Sequence, residues 1–152
     1  MSRTGTLIDE ARGRCLCGDV SFVARGVPAT YALCHCKMCR RWTGGAFAEV
    51  SVPTEQISWA GGEHIALLAS SNHSERAWCR NCGATLFFRH VKKDKWFGST
   101  DLALGLFDDP SQFTLSHEIF SDEACIHTAD VGQKRLTRAD VLALNPDLEE
   151  VQ

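Results

Sequence analysis

What the chain lacks narrows the field first. No apolar run approaches the roughly 18 residues of a membrane helix, and Ile65–Ala69 is among the longest. No apolar stretch follows the first residues, Met1-Ser2-Arg3-Thr4-Gly5-Thr6, as a secretory signal would require. A cytoplasmic, membrane-free protein is therefore expected. Basic residues are not in excess: 16 Lys and Arg face 19 Asp and Glu, for a net charge of −3. General nucleic-acid binding wants a basic surface, so it is not expected. There is no internal repeat, low-complexity tract, Gly-rich phosphate loop or Ser-His-Asp signature. The six histidines show no i, i+4 pairing.

What is present is cysteine, eight in 152 residues. A chain of this length can bury a core without covalent help. In a reducing compartment, cysteines at short spacings are metal ligands or reactive thiols before they are disulfides. The rest of the composition, 44% hydrophobic and 23% charged, is ordinary for one globular domain.

Short apolar runs separated by Gly and Pro turns predict a mainly β fold with one or two short helices. Strands are expected over 19–25, 30–33, 47–52, 57–60, 64–69, 76–79, 85–90, 96–99 and 114–120. Residues 26–28 read as a turn. The spacing predicts a helix over 36–42, ended by Thr43-Gly44-Gly45, and a second from an N-cap at Thr137 through Leu144. Residues 1–12 read as a polar lead-in, and 13–152 as a single domain.

Cys15-x-Cys17-Gly18 and Cys79-x-x-Cys82-Gly83 each place two sulfurs on a tight turn followed by glycine. Four sulfurs from two such knuckles match a closed tetrahedral zinc site. That site would tie the N-terminal strand to the middle of the sheet and contribute to folding. The plainer reading is two hairpin cysteine pairs buried as small apolar groups.

Cys34, Cys36 and Cys39 form a triplet within six residues. Three thiolates make one face of a tetrahedron and leave a corner for another group. Three readings stay open at this level. An open zinc could bind an incoming thiol, a fourth ligand such as Cys125 or a histidine could close a structural site, or the thiols could act without metal in redox chemistry. A thiolate-rich set makes zinc a weak generator of hydroxide, and suits holding a thiol as reactive thiolate.

The residues Gly13-x-Cys15-x-Cys17-Gly18, Cys34-His35-Cys36-x-x-Cys39-Arg40-Arg41-x-Thr43-Gly44 and Trp78-Cys79-x-x-Cys82-Gly83 resemble, in order and spacing, the glutathione-dependent formaldehyde-activating enzyme family. That family also includes centromere protein V. The resemblance implies a β-tent of several small coiled antiparallel sheets, stabilised by zinc. It implies two zinc ions, one structural on Cys15, Cys17, Cys79 and Cys82 and one on Cys34, Cys36 and Cys39. It also implies a carbon–sulfur lyase that interconverts glutathione plus formaldehyde with S-hydroxymethylglutathione. Lys37, Arg40 and Arg41 would then attract the carboxylates of glutathione; as ordinary residues they would form a solvated surface.

The competing class is a zinc-stabilised protein-binding module without catalysis. His35, between two ligand cysteines, is read as a surface histidine. Trp42, Trp59, Trp78 and Trp96 are read as sheet packing, and Trp42 with Phe47 as walls of a pocket. Asp101, Asp108 and Asp109 are read as loop acids.

Overall fold

The computed structural model describes residues 5–125 and 137–144. Ten strands are present: β1 (Leu7–Arg14), β2 (Ser21–Pro28), β3 (Thr30–Cys34), β4 (Phe47–Pro53), β5 (Ile57–Ala60), β6 (Ile65–Ala69), β7 (Ser74–Cys79), β8 (Thr85–His90), β9 (Ser99–Ala103) and β10 (Thr114–Ile119). Two short α-helices, α1 (Lys37–Thr43) and α2 (Arg138–Leu144), and five single turns of 3-10 helix complete the described elements. The expected mainly β architecture is found. None of the described helices is long and apolar enough to cross a membrane.

The strands form two sheets. One has three strands in the order β1-β2-β5, and the other seven in the order β10-β3-β4-β9-β8-β7-β6. All pairs are antiparallel except β10 with β3, which run parallel. An all-antiparallel arrangement is therefore corrected at this edge. Ser116 Oγ donates to the Tyr31 carbonyl at 3.0 Å and helps hold the parallel pair.

The core lies between the sheets. Val20, Phe22, Ala24 and Val27 come from the three-stranded sheet and its first hairpin, and Val50, Val52, Leu86, Phe87 and Leu102 from the larger one. Aromatic rings stitch the layers: Phe22 to Trp59 at 5.4 Å, Trp59 to Phe87 at 5.4 Å and Phe22 to Phe107 at 5.2 Å. Offset and edge-on contacts of this kind add to the burial of the rings themselves.

Strand alternation leaves the large sheet with a second face. On β4, Val50 and Val52 point into the core, so Phe47, Glu49 and Ser51 share the other side. Registry extends that side across the sheet. Cys34 pairs with Phe47, Glu49 with Ala103, Ser51 with Asp101, Asp101 with Phe88, and Phe88 with Arg76.

Three expectations change. Leu7–Arg14 is a full strand paired to β2, where a lead-in was expected through residue 12. Its inward residues, Ala11 and Gly13, are too small to signal a strand. Ser21–Pro28 continues through the expected turn, with Gly26 taking φ 59° without slipping the register. The strand expected at 96–99 begins instead at Ser99, so Asp101 lies in β9 rather than in a loop. At the other end, Thr137 caps α2 as expected. Asp140 N donates to Thr137 Oγ1 at 3.2 Å, and Thr137 N donates back to Asp140 Oδ2 at 2.7 Å. The polar stretch 121–133 reads from sequence as irregular and is described only to residue 125. Pro146, which the sequence places just beyond the end of α2, lies outside the described residues.

Candidate metal centres

The two knuckles are built alike despite their different cysteine spacing. Cys15 N donates to Val20 O at 2.9 Å, and Cys79 N donates to Ala84 O at 2.9 Å, so each loop closes over five residues. Gly18 (φ 86°) and Gly83 (φ 75°) take the left-handed conformation that this tight closure needs. The first knuckle joins β1 to β2 and the second joins β7 to β8, one in each sheet.

The four sulfurs Cys15, Cys17, Cys79 and Cys82 converge, with all ligand atoms within 4.8 Å of one another. Cys15 Sγ lies 3.5 Å from Cys17 Sγ, which lies 3.8 Å from Cys79 Sγ. Val20 N donates to Cys15 Sγ at 3.3 Å. Burial pushes the Cys82 thiol up, but the amides of Ala84 and Cys17 outweigh it and hold Cys82 down at about 6. Amide donors to sulfur favour thiolate, the form that binds metal. A direct link joins the loops as well: Asn81 Nδ2 donates to Asp19 Oδ2 at 2.6 Å. These four residues could hold a metal ion, and a four-sulfur set fits a closed tetrahedral centre.

The triplet sits on the second face of the large sheet. Cys34 ends β3, Cys36 caps α1 and Cys39 lies in its first turn. Cys36 Sγ accepts from Cys39 N at 3.4 Å, so one sulfur serves as helix cap. Cys34, Cys36 and Cys39 also have their sulfurs within 4.8 Å of one another and could hold a metal ion. Cys34 and Cys39 are buried with Phe47, and Trp42, Phe88 and Ala103 pack against them. Among the described residues no fourth cysteine, histidine or carboxylate joins the group. Cys125, weighed as a closing ligand, is exposed and belongs to neither group.

Within the triplet the thiols are electrically unequal. The hydrogen bond from Cys34 brings Cys39 down to about 6, with help from the Arg76 guanidinium. The same hydrogen bond pushes Cys34 up, and burial adds to it.

Several functional groups on this face were not singled out by sequence. Arg76 is buried, 5% exposed. Its Nη2 donates to Cys39 Sγ at 3.7 Å and its Nη1 to Ser70 Oγ at 2.5 Å. Its Cζ lies 5.4 Å from the Trp42 ring and 5.0 Å from the Phe88 ring. Glu49 and Asp101 stand on the same face. Burial, then the charge of Asp101, pushes Glu49 up to about 8. Burial pushes Asp101 up too, against a hydrogen bond from Ser51 and the nearby His90. A signal for Arg76 exists in the sequence, a charged residue opening the apolar run Ala77-Trp78-Cys79. Glu49 and Asp101 meet only through strand pairing, which local patterns do not encode.

Lys37 and Arg41 are exposed and Arg40 half-buried, all on α1 beside the triplet. Among the described residues their side chains make no ion pair. Lys37 N donates to Glu123 Oε2 at 3.1 Å. His35 is corrected: it is buried, not on the surface, with Nε2 3.6 Å from Glu118 Oε1. Trp42 packs on Phe47 with ring centroids 5.0 Å apart, beside the triplet. Trp96 is corrected as well, since it is 57% exposed rather than packed.

Comparison with known proteins follows this geometry. A profile of the family described as "Glutathione-dependent formaldehyde-activating enzyme" matches residues 10–123. A protein of Schizosaccharomyces pombe, named an uncharacterized lyase, is 34% identical over 98 residues. The match covers 64% of this chain and 71% of that protein. A crystal structure of a Rhodobacter sphaeroides protein superimposes with a TM-score of 0.54 at 18% identity, over 68% of this chain and 99% of that one. At that identity the likeness concerns the fold alone.

Proposed function

Because the chain belongs to the glutathione-dependent formaldehyde-activating enzyme family, we propose that it is a zinc-dependent carbon–sulfur lyase that joins a small thiol to a small aldehyde, or releases one from the other. Glutathione and formaldehyde are the pair the family name suggests. The relative named as a lyase supports the same class. The observation that carries the reading is the sulfur triplet, with three ligands converging beside aromatic walls and no fourth among the described residues.

The donor sets fit zinc, which favours thiolate in tetrahedral sites. Cys15, Cys17, Cys79 and Cys82 would hold one ion as a structural clamp, and Cys34, Cys36 and Cys39 a second. The second ion would supply a Lewis-acidic position at which an incoming thiol is kept as thiolate.

The remaining work falls to the chain. In the forward direction the thiol loses its S–H proton, an S–C bond forms to the carbonyl carbon, and the carbonyl oxygen takes up a proton. Glu49 lies on the triplet face, and its carboxyl, held up near 8, exchanges protons near neutral pH. It therefore accepts the thiol proton and returns one to the new hydroxyl. Trp42, Phe47 and Phe88 limit water around the sulfurs. Lys37, Arg40 and Arg41 supply positive charge for the carboxylates of glutathione. The cytoplasm, where thiols stay reduced, is the compartment this chemistry needs.

The test mixes the protein with glutathione and carbon-13 formaldehyde and follows the hydroxymethyl adduct by NMR. Acceleration over the uncatalysed addition is expected, and Cys36→Ser should abolish it. Serine is a strong helix cap, so α1 survives that change while the sulfur is lost. Equal adduct rates with and without protein would remove the enzyme reading.

A further inference from the structure

We propose that Arg76 is the counter-charge of the sulfur triplet, a positioning residue that allows this buried site to accept an anionic thiolate as fourth ligand. The inference rests on the reading that the triplet holds zinc.

Charge counting motivates it. A divalent cation on three thiolates carries one net negative charge. A fourth thiolate makes two, and a buried dianion is strongly disfavoured unless a cation lies beside it. Cys34 and Cys39 are 5% and 4% exposed, so water gives little relief there. The knuckle cluster differs in exposure: Cys17 is exposed and Cys82 partly so, whereas in the triplet only Cys36 is partly exposed. Backbone amides face sulfurs in both. Solvent at Cys17 can help balance that cluster, whereas the triplet has less of that relief and needs a cation of its own.

Arg76 is placed to be that cation. Its Nη2 reaches Cys39 Sγ at 3.7 Å. Among the described residues it makes no ion pair with a carboxylate, and its Nε has no hydrogen-bond partner. No carboxylate among them lies within ion-pair distance of it, although Glu49 on the same face feels its charge. Nor is the side chain loose. Ser70 Oγ holds Nη1, and Ser71 and Ser74 brace that end, with their Oγ atoms 2.7 Å apart. The Trp42 and Phe88 rings lie against the guanidinium, an arrangement worth more away from water. A buried arginine held by neutral groups and directed at a sulfur ligand is built for a negative charge that arrives with the ligand set.

The experiment compares wild type with Arg76→Met, Arg76→Gln and Arg76→Lys. Zinc affinity is read by competition with a chromophoric chelator. Cobalt(II) substitution then reports the sulfur-to-metal charge-transfer bands, and 2-mercaptoethanol is titrated against those bands. For Arg76→Met we expect the second zinc to bind 10- to 100-fold more weakly, as usual when a group supporting a ligand is removed. The first zinc should be unchanged. The cobalt band of the triplet should shift, and the thiol should bind at least 10-fold more weakly. Arg76→Lys should recover most of both losses, and Arg76→Gln, which keeps an N–H donor without charge, should not.

If Arg76→Met fails to fold, seen as loss of the first zinc as well, the Lys and Gln variants decide. Lys near wild type with Gln impaired supports the proposal. Gln near wild type overturns it, since charge would then be irrelevant. Two zinc ions with unchanged affinity and unchanged thiol titration in Arg76→Met also overturn it, and leave the zinc reading standing. A wild-type chain that takes up only one metal overturns the zinc reading itself, and this inference with it.

Discussion

At the scale of single residues, Glu49 makes the sharpest prediction. Its carboxyl titrates near 8 in the folded chain, against an ordinary value of 4.5. Between those values the folded state binds a proton that the unfolded state has released. Stability therefore falls as pH rises from about 4.5 to about 8. Glu49→Gln removes this contribution, so the variant should lose less stability across that interval than wild type does. Urea unfolding at pH 5 and pH 8 measures the difference, and equal slopes for the two proteins would refute it. The same change should slow thiol–aldehyde adduct formation about 100-fold or more if Glu49 carries the proton.

The residue scale is also where sequence reading succeeded best. Seven cysteines sort into two pairs and a triplet by spacing alone, because ligands on a tight loop must be close in sequence, while the convergence of the two pairs is a long-range feature of the fold. Arg76, Glu49 and Asp101 could not be sorted that way. They meet on strands β7, β4 and β9, through registers that no local pattern specifies. His35 was misplaced because burial beside Glu118 depends on β10, far along the chain.

At the scale of elements, the knuckles and their supports set the geometry. Gly61 follows β5 and approaches the first knuckle closely. A Cβ there would lie 1.7 Å from Asp19 O, and Gly61 has φ 74°. Gly61→Ala combines backbone strain with a collision against main chain, so the knuckle must shift. A loss of roughly 3 kcal/mol and a melting temperature lower by about 10 °C are expected. Calorimetry on the metal-loaded protein checks this, and a shift under about 3 °C would contradict it. Elements were legible where apolar side chains alternate, as on β2 and β4. They were not where small residues face inward. β1 buries Ala11 and Gly13, and a side chain on Gly13 would strike the Phe22 ring at 2.5 Å, so this edge of the core has to be made of almost nothing.

At the scale of the whole molecule, two sheets share an apolar core and a pair of knuckles. Structural zinc in all-cysteine sites contributes on the order of 10 kcal/mol or more. A domain's total margin is about 5–15 kcal/mol. Removing metal with a strong chelator under reducing conditions should therefore abolish cooperative thermal unfolding and broaden the near-ultraviolet spectrum. Re-addition of zinc should restore both. A chelated protein that still melts sharply near the original temperature would show that the apolar core suffices.

The parallel pairing of β10 with β3 also sets an order of events during synthesis. The knuckle cysteines are all present once residue 82 has left the ribosome. The edge beside the triplet closes only when Ile119 arrives to accept from the His35 amide. At about 5–20 residues per second, that is a wait of a few seconds. During it the triplet loop has its cysteines but not its final neighbour strand. If the sulfur clusters hold metal as proposed, the four-cysteine cluster can therefore load first, and the triplet gains its last neighbour strand afterwards.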